Sequence, residues 1–211
     1  LIGGDSDDTV NGGDGDDVIW AGADDTGDDH ISGGSGDDII AGGAGNDVLV
    51  GGSTEAGEGD TSGSDTIFGG TGDDNIASSS WIDVNGDGVM DDDDIYGDGN
   101  ADGSDKVWAG DGGDKVYGSG GNDTIGGGLG DDSISGLGGD DIIYAGKDGN
   151  EYISGGDGND TLVHSYDVEY GYGASPDIFD GGAGTDLLIV GSNIGGRTYD
   201  LDAMNIENMD I

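Results

Sequence analysis

Cysteine is absent from the 211 residues, so neither a disulfide framework nor a thiolate metal site is available. Basic residues are almost absent too: 4 Lys and Arg stand against 48 Asp and Glu, a formal charge of −44. That balance excludes nucleic acid as a partner, because phosphates would be repelled. It also disfavours anionic membrane surfaces, except through a bridging cation. No apolar run is long enough to span a bilayer, which excludes direct membrane insertion as a helix. Glutamate is scarce, since nearly all the acids are Asp. The short Asp side chain keeps its carboxylate beside the backbone and suits turns, whereas a solvated helix favours Glu.

Glycine is what the chain has in excess: 52 residues, against an ordinary usage of about 7%. Low hydrophobicity with high charge gives disorder in an ordinary chain. Here both the apolar residues and the carboxylates recur at a fixed spacing, as an ion-organised structure requires. Disorder is therefore expected of the metal-free chain only.

The spacing is nine residues. Gly12–Gly13–Asp14–Gly15–Asp16–Asp17–Val18–Ile19–Trp20 has the form G-G-x-G-x-D-x-U-x, with U a large aliphatic residue. Segments 33–41, 42–50, 69–77, 127–135, 155–163 and 181–189 repeat it, and looser copies bring the total to about 17. The sixth position reads Asp8, Asp17, Asp29, Asp38, Asp47, Asp65, Asp74, Asp93, Asp105, Asp114, Asp123, Asp132, Asp141, Glu151, Asp160, Asp177 and Asp186. The eighth runs from Val10 and Ile19 through Ile95 to Phe179 and Leu188 and is almost wholly β-branched or Leu.

The triplet x-U-x alternates about one apolar side chain, which is a short strand with one buried face. The six preceding residues reverse the chain, and Gly there tolerates positive φ and close backbone approach. Two nonapeptides make one coil with a strand on each side. About 8 coils stacked at about 4.8 Å give a roll roughly 40 Å long. Its core is thin. Each coil buries about two aliphatic side chains, worth roughly 1.5–3 kcal/mol apiece, while ordering each residue costs about 1–2 kcal/mol. Stacking also brings sixth-position carboxylates to about 5 Å, where they repel by roughly 1–3 kcal/mol. Calcium reverses that sign. It is a hard cation taking six to eight oxygens from carboxylates and carbonyls, and a stacked pair of turns offers both.

This pattern resembles the RTX (repeats-in-toxin) calcium-binding nonapeptide family over nearly the whole chain. The resemblance implies an all-β parallel β-roll, a right-handed solenoid, over residues 1–189. Calcium would lie between turns eighteen residues apart. The sixth-position acids named above would supply side-chain oxygens. Carbonyls would come from Gly-rich turns, such as Gly13, Gly15, Gly34, Gly36, Gly43, Gly45, Gly128, Gly130, Gly156 and Gly158. Two such stacks, less the interrupted turns, suggest about a dozen Ca²⁺ ions. The resemblance further implies type I secretion of the unfolded chain and folding outside the cell.

Five insertions break the register: near Asp24–Thr26, Thr54–Ser62, Ser78–Asp92, Gly99–Asp102 and Ser165–Ala174. Residues 83–94 fit a twelve-residue EF-hand-type loop, with Asp83, Asn85 and Asp87 at positions 1, 3 and 5. Gly88 stands at the sharp turn, Val89 offers a carbonyl at 7, Asp91 is at 9 and Asp94 at 12. The loop is similar to the dockerin version, but no helical pattern flanks it. It reads either as an extra calcium site or as an acidic loop imitating one. The tail 190–211 has apolar residues without glycine turns and is expected to cap the open end of the roll. Leu1–Ile2–Gly3–Gly4 reads as the end of one repeat and the start of the next, as in a piece of a longer chain.

Catalysis is not expected, because His30 and His164 both read as surface residues and oxygen ligands alone are plentiful. If repeats alternate strictly between sheets, Trp20, Ala41, Phe68, Tyr96 and Tyr117 share one outer face, with Trp108 and Tyr144 on the other. Such a row could stack on sugar rings or dock a neighbouring domain; aromatics also simply suit strands. The expected role is a calcium-stiffened structural and adhesive module of a secreted or cell-surface bacterial protein. The alternative is an accessory module of a secreted protease, lipase or alginate epimerase that aids folding, secretion and polysaccharide contact.

Overall fold

With one exception the D-x-U-x segments become strands that go alternately to opposite sides of a flattened coil. The computed structural model describes residues 1–22, 26–53, 63–82, 95–96, 103–146, 149–165, 177–191 and 205–207. One sheet has nine strands: β1 (Thr9–Asp14), β3 (His30–Ser35), β5 (Val48–Val50), β7 (Asn75–Ala77), β11 (Lys115–Ser119), β13 (Ser133–Leu137), β15 (Tyr152–Asp157), β17 (Ile178–Ala183) and β19 (Asn205–Glu207). The other has eight: β2 (Val18–Trp20), β4 (Ile39–Ala44), β6 (Thr66–Thr71), β10 (Lys106–Asp111), β12 (Thr124–Leu129), β14 (Ile142–Gly146), β16 (Thr161–Ser165) and β18 (Leu187–Gly191). All neighbours within these two sheets are parallel and in register on the U residue, as in Val107↔Ile125↔Ile143. No helix occurs among the described residues. The molecule is a parallel β-roll.

The U side chains of both sheets meet inside as one continuous aliphatic cluster. Ile19, Ile31, Ile40, Leu49, Ile67, Ile76, Ile125, Ile134, Ile143, Ile153 and Phe179 are all buried to within 1% of complete. At the start of the chain Ile2 bridges to Trp20 in parallel, so Leu1–Gly4 lies beside the second strand as the repeat pattern requires. Near the other end β19 pairs with β17, matching Ile206 to Phe179.

One repeat assigned from sequence does not join the roll. Ile95 lies in β9 (Ile95–Tyr96), which pairs antiparallel with β8 (Trp81–Ile82) in a separate two-stranded sheet. The register jumps from Ile67 to Val107 and from Ile76 to Val116. Between Ala77 and Lys106 the described pairs Trp81–Ile82 and Ile95–Tyr96 thus stand apart from the two large sheets, and Asp93–Ile95 mimics the D-x-U signal in the sequence there. This shifts the parity of everything after it. Tyr117 falls in the nine-stranded sheet, while Trp108 and Tyr144 fall in the eight-stranded sheet with Trp20 and Phe68. The aromatic row expected from strict alternation is corrected accordingly. The acidic loop 83–94, with Asp83, Asn85, Asp87, Val89, Asp91, Asp93 and Asp94, lies outside the described residues, as does most of 190–211.

The two outer faces differ. On the eight-stranded sheet the outward positions form two columns. One is Val18, Ile39, Thr66, Lys106, Thr124, Ile142, Thr161 and Leu187; the other is Trp20, Ala41, Phe68, Trp108, Gly126, Tyr144, Val163 and Ile189. The nine-stranded sheet presents more polar residues, as at Asn11, Ser32, Asn75, Lys115, Ser133 and Ser154. An apolar patch on it, Val50 and Ala77, is covered by Trp81, whose ring also lies 5.8 Å from that of His30.

Candidate functional site

The sixth-position acids stand in two files, one along the lead-in to each sheet. In each file the carboxylate of one coil accepts a hydrogen bond from the backbone N–H of the acid in the neighbouring coil. One file runs Asp17 N–H to Asp38 Oδ1 (2.7 Å), Asp38 to Asp65 (2.8 Å), Asp65 to Asp105 (2.8 Å) and Asp105 to Asp123 (2.9 Å). It continues from Asp123 to Asp141 (2.8 Å), Asp141 to Asp160 (2.9 Å) and Asp160 to Asp186 (2.8 Å). The other links Asp8 to Asp29, Asp29 to Asp47, Asp47 to Asp74, Asp74 to Asp114 and Asp114 to Asp132 at 2.8–3.0 Å, with Glu151 N–H reaching Asp177 at 3.2 Å. Of the sixth-position acids expected from sequence, all those among the described residues thus stand in the files.

At nine levels only half of the carboxylate is used. The Oδ2 atoms of Asp8, Asp38, Asp65, Asp74, Asp114, Asp132, Asp141, Asp160 and Asp186 are buried and receive no hydrogen bond. Nine solvent-excluded carboxylate oxygens without a donor are a large unmet demand, since a buried ionised carboxylate is stable only when paired or metal-bound. The glycines show where each faces. At Gly127, a first position of the repeat, a Cβ would collide with Asp132 Oδ2 and the Ala145 carbonyl of the next coil. Gly136 stands likewise against Asp141 Oδ2 and the Gly155 carbonyl. The uncompensated oxygen therefore sits in a backbone cradle beside a carbonyl oxygen from the adjacent coil.

Without a cation, ionisation is disfavoured at the buried middle levels of the files. Burial raises the carboxyl groups of Asp65 to about 8, Asp74 to about 7, Asp123 to about 7, Asp132 to about 7 and Asp141 to about 9. Like charges above and below add to this, as Asp105 and Asp38 do at Asp65. Asp114 rises to about 6, again chiefly by burial. Glu151 is pushed to about 9 by burial and by its hydrogen-bonded neighbour Asp177.

A hard divalent cation fits this donor set: carboxylate Oδ2 from the file and carbonyl oxygens from the turns. Among the described residues no three acidic or imidazole side chains converge on one point. The reason is geometric, because acids in single file contribute one per level and the remaining oxygens must be main-chain. The glycines expected to supply carbonyls sit at the tight turns. Gly13, Gly15, Gly34, Gly36, Gly43, Gly45, Gly128, Gly130, Gly156 and Gly158 all have φ between +99° and +150°.

Two levels of one file are closed differently. Asp105 Oδ2 accepts from the Ser78 hydroxyl at 2.7 Å. Asp123 Oδ2 accepts from the Ser119 N–H at 2.8 Å and its hydroxyl at 3.0 Å. Ser119 stands where most repeats have their second glycine. Sequence reasoning missed this, although a serine in a glycine column is a visible signal. It also placed His164 on the surface. His164 is 6% exposed, with Nε2 3.7 Å from Asp177 Oδ2 and its ring edge-on to Phe179 at 5.5 Å. Burial lowers the imidazole against the opposing pull of Asp177.

Fold and site together define a parallel β-roll whose paired carboxylate files are built for oxygen-coordinated cations. The chain belongs to the RTX calcium-binding nonapeptide repeat family, whose model matches residues 1–53, 60–80, 100–163 and 173–193 through overlapping copies. It is therefore a calcium-binding repeat module, of a family that is structural rather than catalytic. No curated protein matches the chain.

Proposed function

We propose that this module is a calcium-triggered structural and adhesive element of a secreted or cell-surface bacterial protein, disordered without calcium and folding outside the cell. The observation that carries the reading is the row of nine buried, donorless Oδ2 atoms along the two files. With both files charged, the roll holds a repulsion that its one-residue-wide core does not offset. Calcium turns each level into an attraction, so the ligand and the fold are thermodynamically one event. The named file acids and the Gly-turn carbonyls are the proposed ligands, and the number of open levels suits roughly a dozen or fewer ions. Low cytosolic calcium would keep the chain unfolded for export and the exterior would fold it. The strand 205–207 beside β17 supports a closing role for the tail, and the pattern at 83–94 supports one further calcium loop.

The test is far-ultraviolet circular dichroism of the EDTA-treated chain during calcium titration, with magnesium as control. A cooperative coil-to-β transition with calcium alone is expected. A spectrum already β-rich in EDTA would sink the reading, because the roll would then stand on its core and hydrogen bonds.

A further inference from the structure

We infer that the outer face of the eight-stranded sheet is a binding track for an uncharged, extended polysaccharide, centred on Phe68, Trp108 and Tyr144. The inference rests on the calcium-folded roll, since only folding brings these residues into one row, and it gives the adhesive role a surface and a ligand class.

The chain carries 48 acidic residues, yet none occupies the sixteen outward positions of this sheet. The aromatics there are open to solvent: Phe68 43%, Trp108 42% and Tyr144 40% exposed. Gly126, between Trp108 and Tyr144 in the register, is what makes them a platform. A side chain there would strike the Trp108 ring, so its absence lets that ring lie down on the sheet. Trp108 and Tyr144 then approach to 6.3 Å between centroids with planes 32° apart. Together with Asp111 and Leu129 they line an open cleft of about 410 Å³.

Size and charge choose the occupant. The strip is about 34 Å long, from eight strands at about 4.8 Å, and about 10 Å wide, from three residues at about 3.3 Å. Its projected area, about 340 Å², is well under the roughly 800 Å² per partner of a stable protein interface. The shape suits one chain laid along the roll axis. A peptide strand would find no backbone partners, because the sheet's N–H and C=O groups are spent between coils. A polyanion would meet a chain that stays net negative even after about a dozen Ca²⁺ ions have bound. A neutral glycan brings apolar sugar faces for the rings, and hydroxyls for Thr66, Thr124, Thr161 and the Asp111 carboxylate.

The experiment compares the whole chain with its Trp108→Ala/Tyr144→Ala variant in saturating calcium. Both are run by native affinity electrophoresis through hydroxyethylcellulose, galactomannan or alginate, with circular dichroism and sedimentation velocity alongside. Expected are retardation of the parent in an uncharged polymer, at least about tenfold weaker retardation of the variant, and none in alginate. No retardation in either uncharged polymer would overturn the inference, as would equal retardation of the variant. A calcium-dependent dimer that the variant abolishes would instead assign the face to self-association. The dichroism reads the calcium transition separately, so failure of the folding model and failure of the track are distinguishable.

Discussion

The aliphatic columns and the carboxylate files follow the same geometry, one side chain per level at the same spacing, yet they end in opposite conditions. An Ile or Leu inside the column gains a neighbour above, below and opposite, and the cluster is closed to within 1% exposure from Ile19 to Phe179. Each Asp in the file also meets its like above and below, but the gain stops at Oδ1. At nine levels the second oxygen is buried with nothing to donate to it, beside a carbonyl of the next coil at levels such as Asp132 and Asp141. Stacking identical residues is self-sufficient when they are apolar and creates a demand for a ligand when they are charged. A roll assembled this way has a core that needs nothing and edges that need a cation.

The largest effect should come from removing what the files need. Chelation at neutral pH is expected to abolish the β spectrum, whereas truncating one core residue, such as Ile125→Ala, should cost about 2–5 kcal/mol and leave a calcium-dependent roll. Equal responses to the two treatments, read by dichroism and thermal melting in calcium, would erase the contrast between files and columns.

Acid should partly replace calcium. The file carboxyls have raised pKa values in the roll, about 7 for Asp74 and Asp132 and about 9 for Asp141. In the unfolded chain they titrate near about 3.9. A raised folded-state pKa contributes stability that is complete below the unfolded value and is lost as pH rises toward the folded one. In EDTA the chain should therefore gain β structure near pH 4 and lose it as pH climbs through about 6–9. A flat dichroism profile over that window would show that carboxylate charge is not what keeps the metal-free chain open.

Within the files, the level at Asp123 sharpens the comparison. Its Oδ2 is already satisfied by Ser119. Ser119→Gly restores the glycine found at this position elsewhere and removes the hydroxyl, so one more calcium per chain should bind. Equilibrium dialysis with elemental analysis counts it. An unchanged stoichiometry would mean that Ser119 is not what closes this level.

Most of this contrast was legible in the sequence, because both partners of each contact carry the same letter at the same place in a nonapeptide. The two sheets, the inward U column and the acid files follow from that alone. Three features did not. Asp93–Ile95 copies the local D-x-U signal, but pairing is decided by tertiary register, and one false repeat moved Tyr117, Trp108 and Tyr144 to the wrong faces. The burial of His164 depends on Phe179 and Asp177, which arrive from the next coil across an insertion of irregular length. The division of labour between Oδ1 and Oδ2 concerns single atoms, and no residue pattern encodes it.

The smallest predicted effect lies where the repeat departs from its own rule in the turn. Leu137 is the only non-glycine among the described residues with positive φ, at 73°, and it stands opposite Gly156 in the turn where most repeats place their second glycine. A left-handed conformation at a side chain as large as Leu costs about 1 kcal/mol or more. Leu137 is only partly buried, so truncation forfeits little packing. Leu137→Gly should therefore raise the melting temperature in saturating calcium, by an amount matching about 1 kcal/mol, without changing calcium stoichiometry. A lower melting temperature would mean that the Leu137 side chain contributes more to the edge of the roll than its backbone strain removes. The turn would then be a packing site as well as a bend in the chain.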